Sequence, residues 1–76
     1  MKPKQQMEAD MAFVLRYFPK AMLHGESYHY GWRKGFHYVV KGMGQKAVGD
    51  TPEKAWARAK QQVEWKLQRE KARKED

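Results

Sequence analysis

The chain contains no cysteine, which excludes disulfides, thiolate nucleophiles and cysteine-based zinc sites. It also has no apolar run of the roughly 18 residues that a membrane-spanning helix needs. Its first residues, MKPKQQMEAD, lack the apolar stretch of a signal peptide. We therefore expect a cytoplasmic protein that makes no membrane contact and whose stability comes from packing.

The sequence offers little of what catalysis or metal binding requires. No glycine-rich loop with phosphate-loop spacing precedes a helix, and Ser27 and Thr51 have no evident base and orienting acid. The three histidines are His24, His29 and His37, and the last two should share the outward face of a hairpin without a third ligand. We therefore expect no enzyme activity, no cofactor and no metal site.

Positive charge is what the chain has in excess, with 16 Lys+Arg against 9 Asp+Glu and a net charge of +7. This balance suits a polyanion or an acidic protein surface, although it also fits an ordinary solvated surface. Hydrophobic residues make up 41% of the sequence, which is enough for one small domain over residues 1–76. Within it, residues 1–6 are expected to be a loose lead and residues 71–76 a frayed, charged tail.

An amphipathic helix is predicted near the N-terminus. Between Met7 and Phe18 the apolar residues fall on one helical stripe, and Pro19 should end the helix because its ring crowds the preceding turn. The methionines of this stripe, with Met22, form an adaptable apolar surface that allows a homodimer through this helix. Gly25 is the expected turning point to the next element.

The middle of the chain changes to a period of two residues, which predicts strands. Aromatic residues alternate with other residues over 28–32 and 36–40, and residues 33–35 suit a three-residue hairpin loop. In that register Trp32 faces Phe36, so the aromatic side chains gather on one side of the sheet. The stretch QKAVG predicts a short third strand.

The stretch GDTPEKAW predicts the start of a second helix. Asp50 or Thr51 can cap it, and Pro52 fits the first turn, where its missing donor costs nothing. We expect this helix to run from about Pro52 to Glu70. The predicted fold is therefore α+β, in the order αβββα.

Trp56 and Trp65 lie nine positions apart on this helix, which places them about 180° apart around its axis. Trp56 shares a core stripe with Ala59, Val63 and Leu67, whereas Trp65 lies among cations and amides. Trp65 is part of an interaction surface, or is covered by the sheet or the first helix, or is simply a partly exposed aromatic side chain. The opposite face, the hairpin loop and the third strand supply the candidate residues for binding nucleic acid or a partner: Arg33, Lys34, Lys46, Lys54, Arg58, Gln61, Trp65 and Arg69.

The αβββα order resembles that of double-stranded-RNA-binding domains. That family places a Lys-Lys-x-Ala-Lys run at the start of its second helix, where PEKAWARAK here supplies Ala59 and Lys60, with Lys54 and Arg58 nearby. The resemblance implies binding to duplex RNA.

The second half of the chain is also similar to the arm-type DNA-binding domains of phage tyrosine integrases. Thr51 and Ala55 match the Thr-x-x-x-Ala phrase that opens their helix, and Trp32 begins an aromatic strand. In that family the sheet enters the major groove. The resemblance therefore implies contacts from Arg33, Lys34, His37 and Lys46.

By size and type, a small chain without cysteine and with a βββα core looks like phage accessory proteins, including anti-CRISPR and other host-takeover inhibitors. The sequence thus leads to two functions. The first is a noncatalytic nucleic-acid-binding module that uses the basic helical face and the hairpin tip. The second is an inhibitor or adaptor that docks on an acidic or nucleic-acid-binding surface of a host protein through Trp65. A self-associating role is a third reading.

Overall fold

The computed structural model describes residues 3–75, and the side chains of residues 4–73. Two helices and three strands follow one another in the predicted αβββα order, which confirms the α+β fold class. Among the described residues, neither helix is long and apolar enough to cross a membrane. The elements are α1 (Pro3–Tyr17), β1 (Met22–Tyr30), β2 (Arg33–Lys41), β3 (Ala47–Gly49) and α2 (Pro52–Glu75).

The predicted amphipathic helix corresponds to α1, which begins earlier than expected. Residues 3–6, predicted to be part of a loose lead, are helical, while residues 1 and 2 lie outside the described part of the chain. Val14 is fully buried, and the N–H of Phe18 still donates to the Val14 carbonyl at 2.8 Å. Pro19 follows directly, so the helix ends where the sequence predicts.

The methionines do not form the single stripe that was expected. Met7 and Met11 pack against the hydrophobic core, whereas Met22 lies on β1 with an exposed side chain. The interpretation of these residues as one continuous apolar surface is therefore wrong, because the chain leaves the helix before Met22.

The turn between β1 and β2 consists of Gly31 and Trp32, with Tyr30 paired to Arg33. The predicted three-residue loop at residues 33–35 is wrong. Gly31 has a φ of 58°, which costs glycine little, and its place at the first position of a two-residue turn is typical of type II′ hairpins.

This turn allows both strands to reach nine residues. Of residues 20–26, predicted to be a connection, residues 22–26 belong to β1, and Gly25 lies opposite Tyr38 rather than at a turning point. The longer pairing satisfies backbone N–H and C=O groups that a connecting loop would leave to water. The predicted pairing of Trp32 with Phe36 is consequently wrong too.

The observed register divides the side chains between two faces of the sheet. One face, which includes Leu23 and Val40, packs towards the helices, and we name it the helix face. The other, which includes Glu26 and His37, is the open face. His29 is three residues from Glu26 and lies on the side opposite to His37, because successive side chains alternate along a strand. The expectation that His29 and His37 share a face is wrong.

The core lies between the helix face and α2, with α1 packed along α2. Trp56 is 4% exposed, and Ala59 and Val63 are buried beside it, which confirms the predicted core stripe. Asp10 of α1 is also buried: it accepts a hydrogen bond from Gln6 Nε2 at 2.9 Å, and Lys60 Nζ of α2 lies 3.5 Å from its Oδ1. This ion pair links the two helices and was not foreseen from the sequence.

Thr51 caps α2, as one of the two sequence alternatives proposed. Its Oγ1 accepts a hydrogen bond from the Lys54 N–H at 3.2 Å, and its carbonyl accepts one from the Ala55 N–H at 3.0 Å. The helix continues to Glu75, beyond the predicted end at Glu70. Residues 71–75 of the predicted frayed tail are thus helical, and residue 76 lies outside the described residues.

Candidate functional site

The distal half of the β1–β2 hairpin, residues 27–36, is the most exposed apolar part of the described chain, and we name it the hairpin tip. None of its residues belongs to the core or packs against it. Four large aromatic side chains are exposed there: Trp32 is 89% exposed, Tyr30 79%, Phe36 56% and Tyr28 43%. The predicted register places these rings on one side of the sheet. The structure instead places them on both faces of the hairpin and at its turn.

Two glycines hold aromatic rings flat against the ribbon. The Tyr28 ring lies across Gly35 on the open face, where any Cβ on Gly35 would collide with it. The Phe36 ring covers Gly25 in the same way on the helix face. Aromatic rings that cover glycines in a hairpin gain packing contacts at those positions. The Tyr28 and Phe36 rings are therefore held in place before any ligand binds, which reduces the side-chain entropy lost on binding.

Cations flank the aromatic rings of the hairpin tip. The Arg33 guanidinium carbon lies 5.7 Å from the centre of the Trp32 ring, and Lys34 is exposed on the opposite face of β2. Residues 27–36 contain no aspartate or glutamate. The positive charge of the tip is therefore not offset by a neighbour in the ribbon.

The carboxylate nearest to the tip, Glu26, is engaged with the base of the hairpin. Its Oε1 lies 2.5 Å from Lys41 Nζ and its Oε2 3.7 Å from His37 Nε2. The hydrogen bond from Lys41 lowers the pKa of Glu26 below its usual value, with smaller contributions from the nearby positive charges. His37 also stacks on Tyr28, with ring centres 5.2 Å apart.

The candidate residues of α2 divide between two grooves. The first lies beside α1, and we name it the α1–α2 groove; it contains Lys54, Arg58 and Gln61 together with Gln6, Asp10, Lys60 and Glu64. Lys60 Nζ lies 3.5 Å from Asp10 and 3.9 Å from Glu64, so this groove carries its own compensating carboxylates. Lys54 lies 4.0 Å from Asp50. The predicted continuous basic face is thus interrupted by acidic side chains.

The second groove, which we name the Trp65 groove, lies between the end of α1, the β2–β3 loop and α2. It has a volume of about 440 Å³. Trp65 is 55% exposed, in contrast to Trp56, and it shares the groove with Arg69. Its main lining residues are Phe18, Met43, Gln62, Trp65, Lys66 and Arg69.

Lys46 is connected to this second groove through its backbone. Gln62 Nε2 donates a hydrogen bond to the Lys46 carbonyl at 3.2 Å, and the Lys46 side chain is exposed beside it. Of the predicted site residues, Trp65 and Arg69 therefore line this groove, and Lys46 is joined to its lining residue Gln62 by one hydrogen bond.

About half of the residues at the hairpin tip and the Trp65 groove were not predicted from the sequence. The signal for the exposed aromatic rings is Gly31. With Gly31 as the turn residue, the loop lies earlier in the chain than predicted, and this shift in register changes which rings share a face of the hairpin. The groove residues contributed by α1 and the β2–β3 loop had no signal, because their approach to α2 depends on tertiary packing. The missed residues are Tyr28, Tyr30, Trp32 and Phe36 at the tip, and Phe18, Met43, Gln62 and Lys66 at the groove.

No family model, curated protein or solved structure gives a significant match to this chain.

Proposed function

We propose that the protein is a noncatalytic nucleic-acid-binding module whose principal contact is the hairpin tip, and that it acts in the cytoplasm, where nucleic acid is accessible. One observation carries this proposal: four exposed aromatic rings lie together with two cations, Arg33 and Lys34, on residues 27–36, which contain no carboxylate. Aromatic rings provide stacking surfaces for bases, and arginine and lysine neutralise the adjacent phosphates.

The arrangement at the turn supports this proposal at the level of single residues. Trp32 presents almost its whole indole, and the Arg33 guanidinium lies close to that ring. A base that stacks on the indole would bring its phosphate within reach of Arg33 and Lys34. The net charge of +7 adds long-range attraction for a polyanion.

A second candidate function is an inhibitor or adaptor that binds a host protein through the same tip. Trp, Tyr and Arg, which are adjacent here as Tyr30, Trp32 and Arg33, are the residue types most enriched among protein-interaction hot spots. Such a partner would need an acidic surface or a site that normally holds nucleic acid.

The test compares two double variants by fluorescence anisotropy of labelled single-stranded DNA, duplex DNA and duplex RNA. Trp32→Ala with Arg33→Ala removes an aromatic ring and a cation from the tip. Arg16→Ala with Tyr17→Ala removes the same kinds of group from the exposed side of α1. Since stacking contributes about 1–3 kcal/mol per base, the tip variant should bind at least about tenfold more weakly than the α1 variant.

Two results would contradict the proposal in different ways. Equal affinities of the two double variants would show that binding does not use the hairpin tip. If the wild-type protein binds none of the labelled nucleic acids at near-physiological salt, nucleic-acid binding itself is wrong and the protein-binding alternative takes its place.

A further inference from the structure

The Trp65 groove has the form of a small ligand site rather than of a flat helical surface. Phe18, Met43 and Trp65 supply apolar walls from three different segments of the chain. Its volume of about 440 Å³ falls in the range of pockets that hold small ligands. Lys66 Nζ lies 5.2 Å from the centre of the Phe18 ring, at the edge of these walls.

The charge around this groove is of one sign. Lys66 and Arg69 line it, and no aspartate or glutamate does. Neither cation forms an ion pair with another described residue. The α1–α2 groove differs, because Asp10 and Glu64 there already neutralise Lys60. An anionic ligand therefore suits the Trp65 groove better than its neighbour, which contains two carboxylates.

Gln62 adds a hydrogen-bonding position to the groove. Its Nε2 is used by the Lys46 carbonyl, and its buried Oε1 has no partner among the described residues. A buried acceptor without a donor costs about 1–3 kcal/mol. Because Oε1 is covered, a ligand N–H group would remove this cost only after the Gln62 amide turns towards the groove, and an entirely apolar ligand would leave it.

We infer that the Trp65 groove accepts one unstacked base of a single-stranded nucleic acid, with the indole as stacking surface and Lys66 and Arg69 as phosphate contacts. This inference rests on the proposed function and adds the class of nucleic acid. A base matches the groups of the groove, because it has a flat ring, N–H donors on its edge and an adjacent negative charge. Bases inside a duplex cannot enter, because both their faces and their pairing edges are occupied.

The position of the groove relative to the hairpin tip fits the same class of ligand. Met43 lies two residues beyond the end of β2, so the groove is at the base of the hairpin and the tip is at its other end. At about 3.3 Å per residue, the nine residues of β2 separate the two sites by roughly 30 Å. A flexible single strand can follow this path and stack at both ends.

The test measures the affinity of labelled oligothymidylate and oligodeoxyadenylate for the full chain and for four variants. Trp65→Ala should weaken binding by about tenfold, while Trp65→Phe should retain most of it because a stacking face remains. Arg69→Ala is compared with Arg58→Ala, which removes the same charge from the same helix but lies in the other groove. Arg69→Ala should lose several-fold more affinity than Arg58→Ala.

An NMR titration of the wild-type protein with the oligonucleotides gives a second measurement. It should shift the indole N–H resonance of Trp65, which is assigned by its absence from the spectrum of Trp65→Phe.

The possible outcomes separate this inference from the proposed function. If the wild-type protein binds the oligonucleotides but Trp65→Ala and Arg69→Ala behave as Arg58→Ala does, the groove is not a base site and the proposed function stands. If the wild-type protein binds neither oligonucleotide, the inference is wrong, and the proposed function is wrong as well only if duplex DNA and duplex RNA are not bound either. An acidic aromatic peptide that shifts the Trp65 resonance when the oligonucleotides do not would also overturn the inference, in favour of a protein ligand.

Discussion

Two tryptophans of one helix have opposite environments, which follows from their spacing and neighbours. Trp56 lies with Ala59 and Val63 on the stripe that the sheet and α1 cover, whereas Trp65 lies where α1 has already ended. The indole of Trp65 is half exposed beside Arg69. We propose that this outward tryptophan is the stacking surface of a groove for one base and its adjacent phosphate.

We expect these two tryptophans to differ in their contribution to stability. Trp56→Ala should lower the free energy of unfolding by about 3–5 kcal/mol, because it removes a buried indole and leaves a cavity. Trp65→Ala should lower it by less than about 1 kcal/mol, since the lost surface is largely exposed. Urea denaturation followed by circular dichroism measures both. A loss at Trp65 as large as that at Trp56 would contradict the structure.

The ion pair of Glu26 predicts a dependence of stability on pH. Lys41 lowers the pKa of Glu26 from its usual 4.5, so the pair stabilises the fold above the unfolded-state pKa and the benefit disappears as the pH falls through the folded-state value. Because the pair is exposed, the effect should be small. When the pH is lowered from neutral to acidic, the free energy of unfolding measured by urea denaturation should fall less for Glu26→Gln than for wild type. Glu8→Gln, which removes a carboxylate of α1, should lose as much as wild type, and the account fails if Glu26→Gln does so too.

At the level of elements, the sequence predicted the helices better than the hairpin. The stripe that ends before Pro19 and the cap at Thr51 are local signals, and each corresponds to an observed helix end. The hairpin loop was predicted at residues 33–35, whereas the observed turn uses Gly31. The choice of Gly31 depends on pairing along the whole of β1, which is a tertiary effect.

The turn at Gly31 predicts a specific sensitivity of the hairpin. Gly31→Ala should destabilise the protein by about 1–2 kcal/mol, because a residue with a Cβ disfavours a positive φ. Ser27→Ala, at an exposed position of the same hairpin, should leave stability nearly unchanged. Urea denaturation measures both variants, and hydrogen exchange of the Tyr30 amide reports pairing at the turn. If Gly31→Ala is as stable as Ser27→Ala, the assigned turn is wrong.

For the whole molecule, the sequence predicted the excess of positive charge but not where it is left uncompensated. Arg58 and Lys54 were expected to form one face with Trp65, but the packing of α1 places Asp10 beside this face, and Glu64 of α2 lies in the same groove. Among the described residues, cations without an ion pair include Arg33 and Lys34 at the hairpin tip and Lys66 and Arg69 in the Trp65 groove. The pairing of Lys60 with Asp10 depends on contact between distant segments, so composition and helical geometry alone do not reveal it.

The most direct test of nucleic-acid binding is the affinity for oligothymidylate and for a duplex of matched length, measured by anisotropy between about 50 and 200 mM salt. If Arg33, Lys34, Lys66 and Arg69 each contact a phosphate, the plot of log affinity against log salt should have a slope of about −3 for the single strand. The single strand should also bind more tightly than the duplex at every salt concentration. Binding that is absent, or that is equal for both ligands and disappears at near-physiological salt, would contradict the account.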